Sequence, residues 1–347
     1  MRRRGVKGHG AAAAKHESVG MTTRSTAFIL RRIFRAFLAD GCADVAASLA
    51  FYAILALLPA TMVGFSVLSV LGRDDETAQI LVDVTRAIAP EEAASGLSDF
   101  LGELADLRMS GLLLVFGVLL SIWSVSRYVG VLGRGMNRIY GVEEGRRLWT
   151  LVPIQLVIAV VTIVCAVIAV LLIVGSGPVA HAVGNALGLG ESVLFVWRVV
   201  RWPLLVVLVV FVVAFLYYFS PNIRPPRFRL ISLGAAVAIA VLAVASAGFG
   251  LYVANFANYE RVYGSFAAVI VFALWMWIAN MALLVGVEFD TELERIRELR
   301  RGVPAETQVQ LPLRDASRIA VVVRKDRADV AEARRIRVEE AHDDQTP

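Results

Sequence analysis

Apolar residues fall along this chain in long unbroken blocks, not in alternation, and the blocks predict the elements. Between Phe266 and Val287 there is one amide, Asn280, and no charge. About twenty residues rising 1.5 Å each cross a hydrocarbon core of roughly 30 Å, and Ser265 stands where a helix cap accepts a backbone N–H. Five earlier blocks have the same character, so the pattern predicts six spans at about 45–71, 111–127, 151–174, 199–219, 230–256 and 265–288. A helix that is apolar on every side suits lipid, where each backbone polar group must be satisfied internally. The fold expected is an all-α polytopic membrane bundle.

The polar intervals predict the remainder. Residues 1–26 read as a disordered basic arm. Phe28, Ile29, Ile33, Phe34, Phe37 and Leu38 then recur at helical spacing opposite arginines, the pattern of an amphipathic helix lying on a membrane surface. Arg73–Ser110 carries nine acidic residues against three arginines, with apolar residues at helical period on both sides of Pro90. It is expected to form two short amphipathic helices capping the outer face. The membrane domain extends over 27–296, and residues 297–347 are expected to be a short helical extension followed by a mostly disordered cytoplasmic tail.

Composition agrees with a membrane protein: 58% of the 347 residues are hydrophobic and 19% charged, with a mean hydropathy of +0.67. Charge adds orientation. Lys and Arg number nine before the first span, five between the second and third and three between the fourth and fifth, against about three, two and one in the alternate loops. Short basic loops stay inside, so both termini are expected in the cytoplasm. The N-terminal stretch lacks the apolar core and cleavage site of a signal peptide. A pI near 9.5 is accounted for by basic flanks facing anionic lipid, and no nucleic-acid partner is implied.

Candidate chemistry is sparse. Two cysteines, Cys42 and Cys165, and four scattered histidines form no ligand spacing; neither a metal nor a cofactor is implied, and no catalytic residue stands out. Pro59, within the first span, is either a packing kink or a hinge beside a substrate path. Glu288 closes the last span, either pinned to an arginine such as Arg127, Arg134 or Arg138, or serving as a gate or proton-linked acid. Asn280, about two turns deeper, either bonds a neighbouring helix or meets a transported head group. Asn255, Asn258 and Tyr263 belong to a polar, aromatic outer rim, and Asn137 ends an inner helix or binds a ligand.

Four stretches carry a family resemblance: ASLAFYAILALLPA at 47–60, NRIYGVEEGR at 137–146, YYFSPN at 217–222 and the long FGLYVANFANYERVYGSFAAVIVFALWMWIANMALLVGVEFDTELE at 249–294. In these the chain resembles the YihY/BrkB family of bacterial inner-membrane proteins, formerly labelled ribonuclease BN. The resemblance implies six helical spans and a link to the cell envelope. The residues themselves give the ribonuclease label no support, because phosphodiester cleavage usually needs a metal or a His-centred acid and base. Two roles are expected: a transporter or flippase for an envelope lipid or other amphiphile, or a non-transporting scaffold that gathers envelope-assembly partners. Membrane lipids are partners in both, and a homo-oligomer is compatible with both.

Overall fold

A computed structural model describes residues 23–70, 111–174, 191–224, 232–255 and 267–343. The helices in these segments are α1 (Thr23–Ala39), α2 (Cys42–Val70), α3 (Gly111–Ile139), α4 (Leu148–Val174), α5 (Glu191–Phe219), α6 (Leu233–Asn255), α7 (Ala267–Arg300) and α8 (Ser317–Asp343). Among the described residues the one β contact is an isolated antiparallel bridge, Ile223 with Leu313. Five helices, α3 to α7, are long and apolar enough to cross a membrane, and a sixth span is completed if the bent pair α1–α2 counts as one. The all-α membrane bundle is therefore the fold.

α7 is the hub, packing on α1, α2, α3 and α6, while α4 and α5 join at the side. Val157, Val164 and Leu171 of α4, with Val206 and Val207 of α5, are exposed, as lipid-facing residues should be. The tightest packing lies toward one end of the bundle, where Leu49, Leu132, Met136, Leu284 and Val287 are fully buried. We call this the tail side. A second, smaller cluster of Phe249, Val253, Val271 and Phe272 ties α6 to α7 toward the other end.

Glycine sets the closest crossing. A Cβ added to Gly286 of α7 would lie 2.5 Å from the Gly234 carbonyl oxygen and 2.6 Å from the Ala238 Cβ, both on α6. The Gly234 and Ala238 face legible in the sequence is thus the α6–α7 seam, of the kind small residues make in membranes. Ser246 likewise faces α7, accepting the Trp275 indole N–H at 3.1 Å. Gly250, paired with Ser246 in the sequence pattern, has open space around it.

Several predicted boundaries move. The second span does not end at Arg127: α3 continues to Ile139 because Val129, Leu132 and Met136 are still core residues. The helical extension expected after the last span is present: α7 continues past Glu288 to Arg300, its last turns buried through Glu292, Leu293 and Arg295. Helix begins at Thr23, inside the arm read as disordered. The tail is the largest correction. Val303–Ala316 lies across the tail side with Ala305 and Val309 buried, and α8 follows. Its mixed charge concealed that its backbone finds partners on the bundle. Asp44 sits in the first turn of α2, and Gly41 makes the break before it at φ +62°. The Arg73–Ser110 cap lies outside the described residues.

Candidate functional site

The tail side holds two polar groups, and the shorter loops build the first. α3 ends at Ile139, and Gly141 turns the chain with φ +67°, a left-handed value that glycine adopts without a Cβ clash. The turn brings Glu144 back beneath Asn137, whose Nδ2 donates to Glu144 Oε2 at 3.0 Å. Arg146 donates to the same carboxylate through Nε and Nη2, both at 2.8 Å, and through Nη2 to the Ser220 carbonyl at 2.8 Å. Asn137 Oδ1 accepts the Asn222 backbone N–H at 2.7 Å. Asn222 in turn donates through Nδ2 to the carbonyls of Glu143 and Asp315, at 3.1 and 2.8 Å.

Two sequence blocks that lie far apart in the chain, 137–146 and 217–222, thus form one clasp, and the clasp holds the tail. Arg314 donates from its backbone to the Asn222 carbonyl at 3.1 Å and from Nε to the Ile223 carbonyl at 2.8 Å. Its guanidinium also reaches the Tyr218 carbonyl and stacks 5.0 Å from the Tyr218 ring centroid. A Cβ on Gly145 would fall 1.9 Å from the Asp315 carbonyl oxygen, so only glycine lets the tail lie this close. Asp315 accepts the Ser317 N–H and hydroxyl at 2.8 and 2.5 Å, opening α8.

Electrostatics agree with a structural joint. Burial alone would raise the Glu144 carboxyl, but the Arg146 side chain, backbone and charge, with Asn137, outweigh it and hold the group below its usual range. Bonds from Ser317 likewise lower Asp315. Asn137 is 4% exposed with both ends of its amide bonded within the protein.

The second group lies at the α1–α2 break, where the two helices bend by 64°. Glu288 of α7 is 1% exposed and packs under this break. The Cys42 thiol donates to its Oε1 at 3.6 Å, and the Asp40 carboxyl lies within hydrogen-bonding reach. Among the described residues Arg127, Arg134 and Arg138 make no ion pair with it; Arg138 instead donates Nη1 to the Asp40 backbone carbonyl at 3.0 Å. The arginines go one turn further along, to Glu292, whose Oε1 accepts Arg32 at 3.0 Å and Arg295 at 3.1 Å. Glu292 Oε2 is buried without a partner among the described residues.

The other candidates separate. Asn280 is buried, accepts the Tyr128 hydroxyl of α3 at 2.8 Å, and donates to the Met276 carbonyl at 2.7 Å. Asp290 points to the side of α7 opposite Glu288's acids, accepting the Gly234 N–H at 2.7 Å and so capping α6. Pro59 is buried inside α2, which runs through it as one helix. Asn255 ends α6. Asn258 and Tyr263 lie outside the described residues, so the outer rim is not assembled here. Sequence reasoning passed over Asp40, Glu144, Arg146, Asn222 and Glu292. The available signal for Asp40, Glu144 and Arg146 was the glycine beside each; Asn222 and Glu292 carried none. Among the described residues no three His, Cys, Asp or Glu side chains are arranged to hold a metal ion.

The bundle side of both groups, from Asp40 and Asn137 to Asn222 and Glu292, falls within residues 33–310, the region that matches the family described as Virulence factor BrkB; Arg314 and Asp315 lie beyond it. The chain belongs to that family. It is 26% identical over 272 residues to a Bacillus subtilis (strain 168) protein named only as ribonuclease-like, YfkH, covering 78% of this chain and 96% of that one. It is 30% identical over 313 residues to a UPF0761 membrane protein of Alkalilimnicola ehrlichii, covering 83% of this chain and 61% of that one. A UPF0761 membrane protein of Azoarcus sp. (strain BH72) is 27% identical over 288 residues, with 82% and 68% covered. This BrkB-family chain thus spans about three-fifths of the length of the Alkalilimnicola relative. No solved structure matches it.

Proposed function

We propose that this protein of the bacterial cytoplasmic membrane moves an envelope lipid or other amphiphile between leaflets, with both termini in the cytoplasm and no enzymatic step. The observation that carries the reading is Glu288: a carboxyl 1% exposed, facing a thiol and a second carboxyl where arginines stand close by on Glu292. A scaffold would gain more from pairing Glu288, because an unpaired acid at a membrane boundary costs several kcal/mol. Its place under the 64° bend couples it to the element best able to swing. Asn280 lies deeper on α7, bonded to Tyr128 of α3, where an amide and a hydroxyl can exchange their mutual bond for one to a passing head group. The basic loops gather on the tail side, which supports the orientation.

The test uses the full chain in liposomes with a fluorescent-headgroup lipid. Movement should be present in the wild type and fall at least about tenfold in Glu288→Gln, with the melting temperature held; a tenfold rate change corresponds to about 1.4 kcal/mol. Equal movement in Glu288→Gln would remove the acid from the mechanism, and none in the wild type would reject transport. One observation favours the scaffold reading: α8 projects with Val330, Ile336 and Val338 exposed among charges. A stable co-purifying partner lost on deleting α8, together with no lipid movement, would select it.

A further inference from the structure

α5 carries a charge that no acid among the described residues answers. Its candidate span is Phe195–Phe219, 25 residues with a mean hydropathy of 2.7. That is about 37 Å of helix against a hydrocarbon core of roughly 30 Å. Arg201 stands 18 residues from Phe219, so its Cα lies about 27 Å from the tail-side end, just inside the far boundary of the core. Its side chain is half-buried, and Nε is fully covered without a hydrogen-bond partner. Among the described residues its one partner is the ring of Trp202, 5.2 Å from the guanidinium carbon. Trp202 itself is exposed. Two residues on, Pro203 has no N–H to give the Val199 carbonyl, so the same turn also holds a backbone acceptor released from the helix ladder.

We infer that Arg201 and Trp202 form a binding site for the phosphate of an anionic lipid in the leaflet away from the tail. A guanidinium at this depth is too far in for bulk water, yet its side chain reaches about as far as the phosphate plane. Arginine offers a planar fork that matches phosphate oxygens, which a lysine ammonium does not. Trp202 supplies the flat amphipathic surface that settles at head-group level. The acceptor left by Pro203 suits a head-group hydroxyl beside the phosphate. The inference is independent of transport: it holds for a carrier and for a scaffold.

The experiment takes the full chain in detergent and titrates phosphatidylglycerol, phosphatidylcholine or inorganic phosphate, reading retained lipid by native mass spectrometry and stability by thermal melting. Phosphatidylglycerol should bind the wild type and raise its melting temperature more than phosphatidylcholine does. Arg201→Leu should weaken that binding roughly tenfold, the loss expected for a charge-assisted hydrogen bond, and abolish the difference between the two lipids. Arg201→Lys should retain part of the binding, and it keeps the question open to measurement if the leucine variant does not fold. Equal retention of phosphatidylglycerol by wild type and both variants would overturn the site. So would a loss of stability in Arg201→Leu that is the same in both lipids, since the arginine would then be serving a carboxylate of the protein itself. Inorganic phosphate giving the same protection would overturn the assignment to a lipid.

Discussion

The side chain of Glu144 shows how a loop acid can secure a membrane bundle. It is 17% exposed, bonded three times by Arg146, twice from the side chain and once from the backbone, and once by Asn137. Folding lowers its carboxyl below the usual range, so the folded state favours the anion. Its contribution is complete above the ordinary glutamate value of about 4.3 and is lost as the pH falls through the lowered value. The gap in melting temperature between wild type and Glu144→Gln should therefore be full at pH 7 and shrink on acidification below about pH 4. Arg146→Ala removes the charge partner of a half-buried carboxylate that keeps its bonds from Asn137 and the residue-146 backbone, and should cost about 1–3 kcal/mol in urea unfolding. Glycine gives a second contrast. Gly286→Ala drives a methyl to 2.5 Å from backbone and hydroxyl atoms and should cost about 1–3 kcal/mol. Gly250→Ala meets nothing within 4 Å and should be neutral or stabilising by up to about 1 kcal/mol.

Among the elements, α7 combines the most roles: it bonds α3 through Asn280 and Tyr128, caps α6 through Asp290, and meets α1 through Glu292. Tyr128→Phe removes the α3 link and should cost about 1 kcal/mol, the common worth of an interhelical bond in membranes, readable by thermal melting. The presence of α7, and its small-residue seam with α6, were legible because lipid imposes a composition that water does not. Its extension beyond the membrane span was legible too, but not what holds that extension. The helix runs on to Arg300 with Glu292, Arg295 and Glu298 finding partners in Arg32, Ala305 and Gln310. Those partners lie up to 260 residues away, and no local period encodes them. Of the two readings of Glu288, the arginine pair is not formed among the described residues: Arg138 is drawn instead to the Asp40 carbonyl at the α1–α2 break, a contact that no local pattern encodes. The clasp was visible only as two quoted motifs, since neither shows alone that it meets the other. The tail was read as disorder because mixed charge without a strong apolar period is the signature of disorder; its order comes from backbone bonds to a surface formed elsewhere.

For the whole molecule, the polar contacts of the described residues gather on the tail side, in the clasp and at the α1–α2 break. Ending the chain after Arg301 removes the partners of Arg295, Glu298, Asn222 and Arg32 and should lower the melting temperature by several degrees. Ending it after Ala320 keeps the contacts of Asp315, Ser317 and Arg318 and should leave stability unchanged, because α8 is exposed beyond them. Reporter fusions should place Arg73–Ser110 and the carboxyl terminus on opposite sides of the membrane; a same-side result would reject the arrangement.

Arg32 donates at once to Glu292 and to the Glu306 carbonyl, the latter 274 residues downstream. A ribosome releases those residues only after every span. Every span has therefore been delivered to the bilayer before the strap that closes over the first helix exists. Until then the acids of α7 face water from below, and a nascent chain stalled just short of residue 303 should be cut by added protease where the finished protein is not.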